Sequence, residues 1–298
     1  MIGLTVNDIA AITGGRLHGG NGDTPVTAVV IDSRAAAPGA LFAALPGERA
    51  DGHDYISRAL DAGAACCLAL RVSEGETRCV ITVADVAAAL CGLASHYRRM
   101  FDIPVVGVTG SVGKTTAKEM IACVLSQKFC TLKTEKNFNN ELGVPLTLFR
   151  LGREHEAAVI EMGISHFGEM KRLAAMAQPT MAVYTVIGRA HLEFLGDRAG
   201  VLRAKGEMLE TMSADGVVFV NGDDDLLSEM SCRQRKITFG MNAGCDIRAT
   251  GISPRGSSGM SCDIVIGDRR IPVVIPSYAR HMVYAALAAA AVGVQLGR

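Results

Sequence analysis

Residues 105–125 read VVGVTGSVGKTTAKEMIACVL: an apolar run, then two glycines, a lysine and two threonines, then an apolar stripe at helical spacing. A strand that turns sharply into a helix leaves free N–H groups at the helix start. The helix dipole adds partial positive charge there, so an anion fits. Gly110 and Gly113 let backbone N–H groups wrap a phosphate without a Cβ in the way. Lys114 can reach the outer phosphates, and the Thr115 hydroxyl can hold Mg²⁺. The strict phosphate-loop pattern asks for glycine at 108, where this chain has Val108. The stretch Gly110, Ser111, Val112, Gly113, Lys114, Thr115, Thr116 is therefore a variant. The bland alternative is a glycine turn beside a surface lysine. The strand before the turn and the helix after it favour a nucleoside triphosphate.

Phosphoryl transfer also needs metal ligands and groups that hold the acceptor. In an open parallel sheet these sit at the carboxyl ends of strands, beside the phosphate loop. Glu161 ends the apolar run AVIE, where a carboxylate suits Mg²⁺, directly or through water. Thr185 and His191 lie at and beyond the end of the next strand. A lone histidine in a loop is ordinarily just solvated. His191 is singled out because it and Glu161 both follow strands of the sheet that carries Lys114. Lys205, in RAKGEML on an apparent helix, reads in isolation as a solvated face charge. No Ser–His or Cys–His pair stands at a spacing that suggests a nucleophile.

The elements that would position these residues follow from the pattern. Residues 4–14 read as a short helix opened by Thr5 and TAVVIDS (27–33) as a strand; then come a turn at Pro38–Gly39, a strand, a polar loop at Gly47–Asp54, a helix, a further strand at Ala65–Leu70, and a helix over 83–99. The stretch FDIP (101–104) reads as a hinge. From 103 onward strands alternate with helices, with strands at 156–163, 181–188, 215–224 and 236–240. That alternation predicts an α/β domain with a mostly parallel sheet. After Asp246 come strands with turns, then a final helix. The expected division is 1–102 and 103–298.

Composition narrows the class. The 298 residues are 49% hydrophobic and 20% charged, enough for two ordinary globular domains. Thirty basic side chains balance thirty acidic ones, so neither a nucleic-acid partner nor a membrane surface is expected. Nine scattered cysteines, odd in number and without a C-x-x-C pair, read as reduced thiols of a cytoplasmic protein. The N-terminus has no basic segment followed by a long apolar run, so no signal peptide is expected. HMVYAALAAAAVGVQLG is too short to span a bilayer and reads as a buried helix.

Several segments together resemble the ATP-dependent Mur ligases of peptidoglycan synthesis. They are GVTGSVGKTTAKEMI (107–121), NFNNELGVPLTL (137–148), VIEMGISHFGEM (159–170), AHLEFLGDRAGVLRAKGE (190–207) and VNGDDDLL (220–227). DSRAAAPGALFAALPGERADGHDYI (32–56) resembles the uridine-nucleotide-binding domain of that family. NFNNELGVPLTL and EMG are most similar to its MurF branch, which joins D-alanyl-D-alanine to UDP-N-acetylmuramoyl-tripeptide. The resemblance implies a small N-terminal α/β UDP-sugar-binding domain followed by a central P-loop ATPase domain. The family's C-terminal domain is expected to be absent from this chain, which alone would then be inactive. The implied chemistry is ATP-driven amide-bond formation through an acyl phosphate, by a cytoplasmic monomer serving cell-wall biogenesis, cell shape and division. The alternative is a relative that binds nucleotide or UDP-sugar without turnover.

Residue by residue, the resemblance gives Gly110 to Thr116, with Asn139 and Asn140, to ATP. Thr115, Glu161 and His191 go to Mg²⁺, and Lys114, Glu161, His191 and Lys205 to catalysis. Lys205 aligns with a lysine that the family often carbamylates, so the resemblance overrides the reading of a solvated charge. Ser33, Arg34, Gly47, Asp51 and His53, in and near the Gly47–His53 loop, go to the UDP-sugar. Where the family has a segment like G-x-H-N-x-x-N-A, this chain reads ARHMVYAA, with Ala279, Met282 and Ala285 at the glycine and two asparagines. Val186 also stands where relatives often have asparagine. Methionine can pack against an adenine but cannot pair with it as an amide does.

Overall fold

Short runs buried on both faces alternate with one-sided helices, and this sets the element order. The computed structural model describes residues 3–47, 50–72 and 74–297. In chain order the elements are α1 (Val6–Thr13), β1 (Arg16–His18), β2 (Ala28–Val30), β3 (Ala40–Ala43), α2 (Ile56–Asp61), β4 (Cys66–Ala69), β5 (Val80–Thr82) and α3 (Val86–Arg98). Then come β6 (Val105–Thr109), α4 (Lys114–Leu125), β7 (Thr131–Lys133), α5 (Gly143–Leu148), β8 (Ala157–Glu161), α6 (Glu169–Ala177), β9 (Met181–Tyr184), α7 (Leu192–Leu195) and α8 (Arg198–Thr211). The chain finishes with β10 (Val217–Asn221), α9 (Asp225–Ser228), β11 (Arg235–Gly240), β12 (Ile247–Pro254), β13 (Met260–Ile266), β14 (Arg269–Ile275) and α10 (His281–Leu296).

Two compact units result. The first comprises Met1–Asp102 and Glu141–Arg153, the second Ile103–Asn140 and Glu154–Arg298. The break after Asp102 falls in the FDIP stretch. Residues 141–153, however, group with the first unit rather than with the chain around them. Their apolar side chains explain this: Val144, Leu148, Phe149 and Leu151 are buried, and the Tyr97 hydroxyl of α3 donates to Leu151 C=O at 2.7 Å.

In the first unit the strands run β1-β5-β4-β3-β2. All neighbours are parallel except β1, which pairs antiparallel with β5. Helix α1 starts at Thr5 in a reciprocal capping box with Asp8.

The second unit has a sheet of order β14-β13-β12-β11-β10-β9-β6-β8-β7. From β7 to β12 every neighbour is parallel, while β12, β13 and β14 form antiparallel hairpins. Chain order reverses at β6: β7 and β8 lie on one side of it, β9 and β10 on the other. That is a topological switch point, where a crevice opens at the carboxyl ends of the strands. Helices α4 and α10 pack together, as do α6 and α8. The apolar run at 281–296 is a helix whose Leu287, Ala288 and Val292 lie in the core. No helix among the described residues is long and apolar enough to cross a membrane.

Candidate active site

The phosphate-loop stretch sits at the switch point. Strand β6 is wholly buried and ends at Thr109. The chain then turns through Gly110 at φ +148° and Gly113 at φ +83° into α4. A Cβ on Gly110 would stand 2.0 Å from Thr185 Oγ1, so backbone conformation and space both require glycine there. The Thr185 hydroxyl donates to Val112 C=O at 2.6 Å and fixes the loop from β9. The first bond into α4 runs from Ala117 N–H to Gly113 C=O, so the amides of Lys114, Thr115 and Thr116 precede it. These amides form the electropositive cup that the spacing predicts.

Lys114 Nζ donates to Gly110 C=O at 2.9 Å, folded back over the loop. Burial holds its ammonium below the ordinary lysine range, and the nearby Glu161 carboxylate opposes that drop. Glu161 ends β8 as expected and is only 1% exposed. Its N–H donates to Thr134 Oγ1 at 3.0 Å, and its Oε1 accepts from Asn139 Nδ2 at 2.8 Å. Its Oε2 has no hydrogen-bond partner. An orphaned buried carboxylate oxygen beside a phosphate loop fits a hard cation.

Lys205 departs from the reading of a solvated face charge. It is 2% exposed on the buried side of α8, alongside Val201, Ala204 and Met208. Burial first, and then the charge of Lys114, push it down to about 7. Lys114 therefore lies within electrostatic reach of both Glu161 and Lys205. His191 is exposed and begins α7 at φ +54°, in the loop that leaves β9. Its loop is tied to the phosphate loop, since Ser111 N–H donates to Val186 C=O at 2.7 Å and Ser111 Oγ to Gly188 C=O at 3.4 Å. The expected strand over 181–188 stops at Tyr184, which frees 185–188 for these contacts.

Thr115 and Asn140 are exposed, and Thr116 and Asn139 half-buried. Met282 and Ala285 face the core side of α10. Among the described residues no three His, Cys, Asp or Glu side chains gather as a metal site. The donors at hand, a hydroxyl and a carboxylate, suit Mg²⁺ that takes its remaining ligands from phosphate and water.

In the first unit Ser33 is buried in a 3₁₀ turn capped by Asp32. Arg34, its side chain 75% exposed, is held by Asp32 through Nε at 3.0 Å and Nη2 at 2.7 Å, and the pairing lowers Asp32 to about 2. Gly47 is exposed; Glu48 and Arg49 of the same loop lie outside the described residues. Asp51 Oδ1 accepts from the His53 N–H at 3.0 Å and from its Nδ1 at 2.5 Å. Leu70 N–H donates to His53 Nε2 at 2.9 Å, which fixes the tautomer with the proton on Nδ1. Both ring nitrogens are thus engaged within the unit. Arg71 donates to Asp51 Oδ2 at 2.9 Å, a contact that sequence reasoning missed because twenty residues separate the pair.

Sequence reasoning also missed Lys118. It lies one helical turn beyond Lys114, is 1% exposed, and donates to Thr134 C=O at 2.7 Å. Its position among Ala117, Ile121 and Ala122 marks the buried face and could have revealed it.

The Mur ligase middle domain matches residues 108–293, and the Mur ligase family catalytic domain matches residues 25–98. The chain belongs to the Mur ligase family. It is 38% identical over 301 residues to the UDP-N-acetylmuramoyl-tripeptide--D-alanyl-D-alanine ligase of Escherichia coli K12, covering 100% of this chain and 66% of that one. To the ligase of the same name from Bacillus subtilis it is 37% identical, with 65% of that protein covered. A crystal structure of MurF from Acinetobacter baumannii superposes with a TM-score of 0.90 at 32% identity, covering 99% of this chain and 65% of that one. MurF ligase from Thermotoga maritima, in complex with ADP, gives a TM-score of 0.83 at 30% identity, covering 92% of this Mur ligase chain and 64% of that one. The chain thus spans just under two thirds of the length of these relatives.

Proposed function

We propose that this Mur ligase is part of an ATP-dependent amide ligase that joins D-alanyl-D-alanine to UDP-N-acetylmuramoyl-tripeptide. Similarity to the relatives bearing that name supports the substrates. The observation that carries the site is the buried Glu161 carboxylate, its Oε2 unpartnered, at the end of β8 and within electrostatic reach of Lys114. The tripeptide carboxylate attacks the γ-phosphorus of ATP, giving an acyl phosphate and ADP. The dipeptide amine then attacks the acyl carbon, and phosphate leaves as the amide forms.

The protein's part is electrostatic. Amides of residues 112–116 and the Lys114 ammonium face the phosphates and stabilise charge that spreads over their oxygens. Thr115, Glu161 and His191 would hold Mg²⁺, which supplies further neutralisation of phosphate charge. Asn139 orients Glu161, and Asn140 lies beside it in the chain. Lys205, titrating at about 7, offers a neutral amine near neutral pH, the form that adds CO₂ to become a carbamate. In the first unit the Arg34 guanidinium and the turn at Ser33 receive the diphosphate of the UDP-sugar. The Gly47–His53 loop, braced by Asp51 and His53, borders it.

In the full-length ligase, Lys114→Ala is expected to abolish phosphate release in the presence of both substrates and ATP. Unchanged release would remove the loop from the γ-phosphate site. A second reading, binding without turnover, draws on Met282 and Ala285, which offer no amide to adenine. ADP affinity retained with no phosphate release by the unchanged full-length protein supports that reading instead.

A further inference from the structure

The segment VNGDDDLL has no role in the chemistry above, yet its side chains reach back to the phosphate loop's support. Ile187, fully buried in the loop leaving β9, has both backbone polar groups held by side chains. Its N–H donates to Asp224 Oδ2 at 2.8 Å, and its C=O accepts from Arg198 Nε at 2.8 Å. Its two neighbours carry the carbonyls of Val186 and Gly188 that seat Ser111.

The two holding side chains are themselves fixed. Asp224 Oδ1 accepts the N–H groups of Leu226 and Leu227 at 3.1 and 3.0 Å, as the cap of α9. Arg198 makes a bidentate pair with Asp225 at 2.9 and 2.5 Å, leaving Nε for Ile187. A helix cap alone would use Asp224 Oδ1, and a surface ion pair alone would use the Arg198 Nη atoms. The remaining atom of each side chain is directed at the same residue, 37 positions away in one case and 11 in the other.

We propose that Asp224 and Arg198 are positioning residues for the phosphate loop. By holding Ile187 they fix the carbonyls on either side of it, and through Ser111 they set the direction in which the amides of residues 112–116 face a bound phosphate. Among the described residues neither side chain hydrogen-bonds to the phosphate loop itself. The inference rests on the nucleotide reading of that loop.

The test is calorimetric titration of the chain with ADP and Mg²⁺, paired with amide hydrogen exchange. Arg198→Met keeps the α9 cap and removes one hold on Ile187. It is expected to weaken ADP affinity about tenfold, the scale of one hydrogen bond to a charged group. Exchange at the Ser111 amide accelerates by a similar factor, while the β6 amides of Val106 and Val108 stay protected. Asp224→Asn, whose amide oxygen can still accept from Ile187, loses less affinity than Asp224→Ala. Unchanged affinity and unchanged Ser111 exchange in Arg198→Met overturn the proposal, as does a uniform loss of protection across the second unit. ADP binding lost in Lys114→Ala but intact in Arg198→Met and Asp224→Ala overturns this inference alone. No ADP binding by the unchanged chain removes the nucleotide reading and this inference with it.

Discussion

Lys205 carries a charge that its surroundings oppose. Folded, it titrates at about 7, whereas an unfolded lysine titrates at about 10.4. Between those values the unfolded chain binds more protons, so Lys205 makes stability rise with pH through that window. Thermal unfolding from pH 6.5 to 10 is expected to show the rise, and Lys205→Met to flatten it while melting higher at the acid end. Glu161 poses the complementary case. Glu161→Gln keeps an acceptor for Asn139 but removes the counter-charge of Lys114, whose titration point is expected to fall further. ADP titration with and without Mg²⁺ should then lose most of its dependence on the metal. Lys114 was legible because its neighbours in sequence are the neighbours that matter. The burial of Lys205 was not read, although Val201, Ala204 and Met208 at three- and four-residue spacing mark its side of α8 as the inner one.

At the scale of elements, the strand–turn–helix of β6 and α4 was readable because a glycine turn between two apolar patterns is a local signal. What holds the turn was not, since Thr185 meets Val112, and Ser111 meets Gly188, each across more than seventy residues of chain. Gly110→Ala would force the added methyl into the Thr185 hydroxyl, and ADP affinity is expected to fall below detection. Helix α8, which carries Lys205, starts at Asp197, whose Oδ1 accepts from Gly200 N–H at 2.6 Å. Asp197→Ala is expected to cost about 1 kcal/mol in urea unfolding, as lost N-caps do. The parallel direction of the strands from β6 to β10 followed from alternation. The continuation into the β12–β14 hairpins was visible only as unplaced strands, because sheet order depends on long-range pairing.

For the molecule as a whole, the break after Asp102 falls within FDIP, a stretch that reads as a hinge, while the return of 141–153 to the first unit has no such local marker. Its helix α5 has little to distinguish it until Leu148 and Phe149 are seen buried beside α3, the Phe149 ring 6.1 Å from that of Tyr97. Leu148→Ala is expected to destabilise the first unit by about 2–5 kcal/mol, the range for a large-to-small change in a core. Fluorescent-dye unfolding should show the loss in one transition if the two units melt separately.

The polypeptide passes from one unit to the other after residues 102, 140 and 153. Three covalent tethers therefore join the halves, and a protease that nicks any one of them leaves the other two intact. Singly cut material should run as two bands under denaturing electrophoresis yet elute as one species on native sizing.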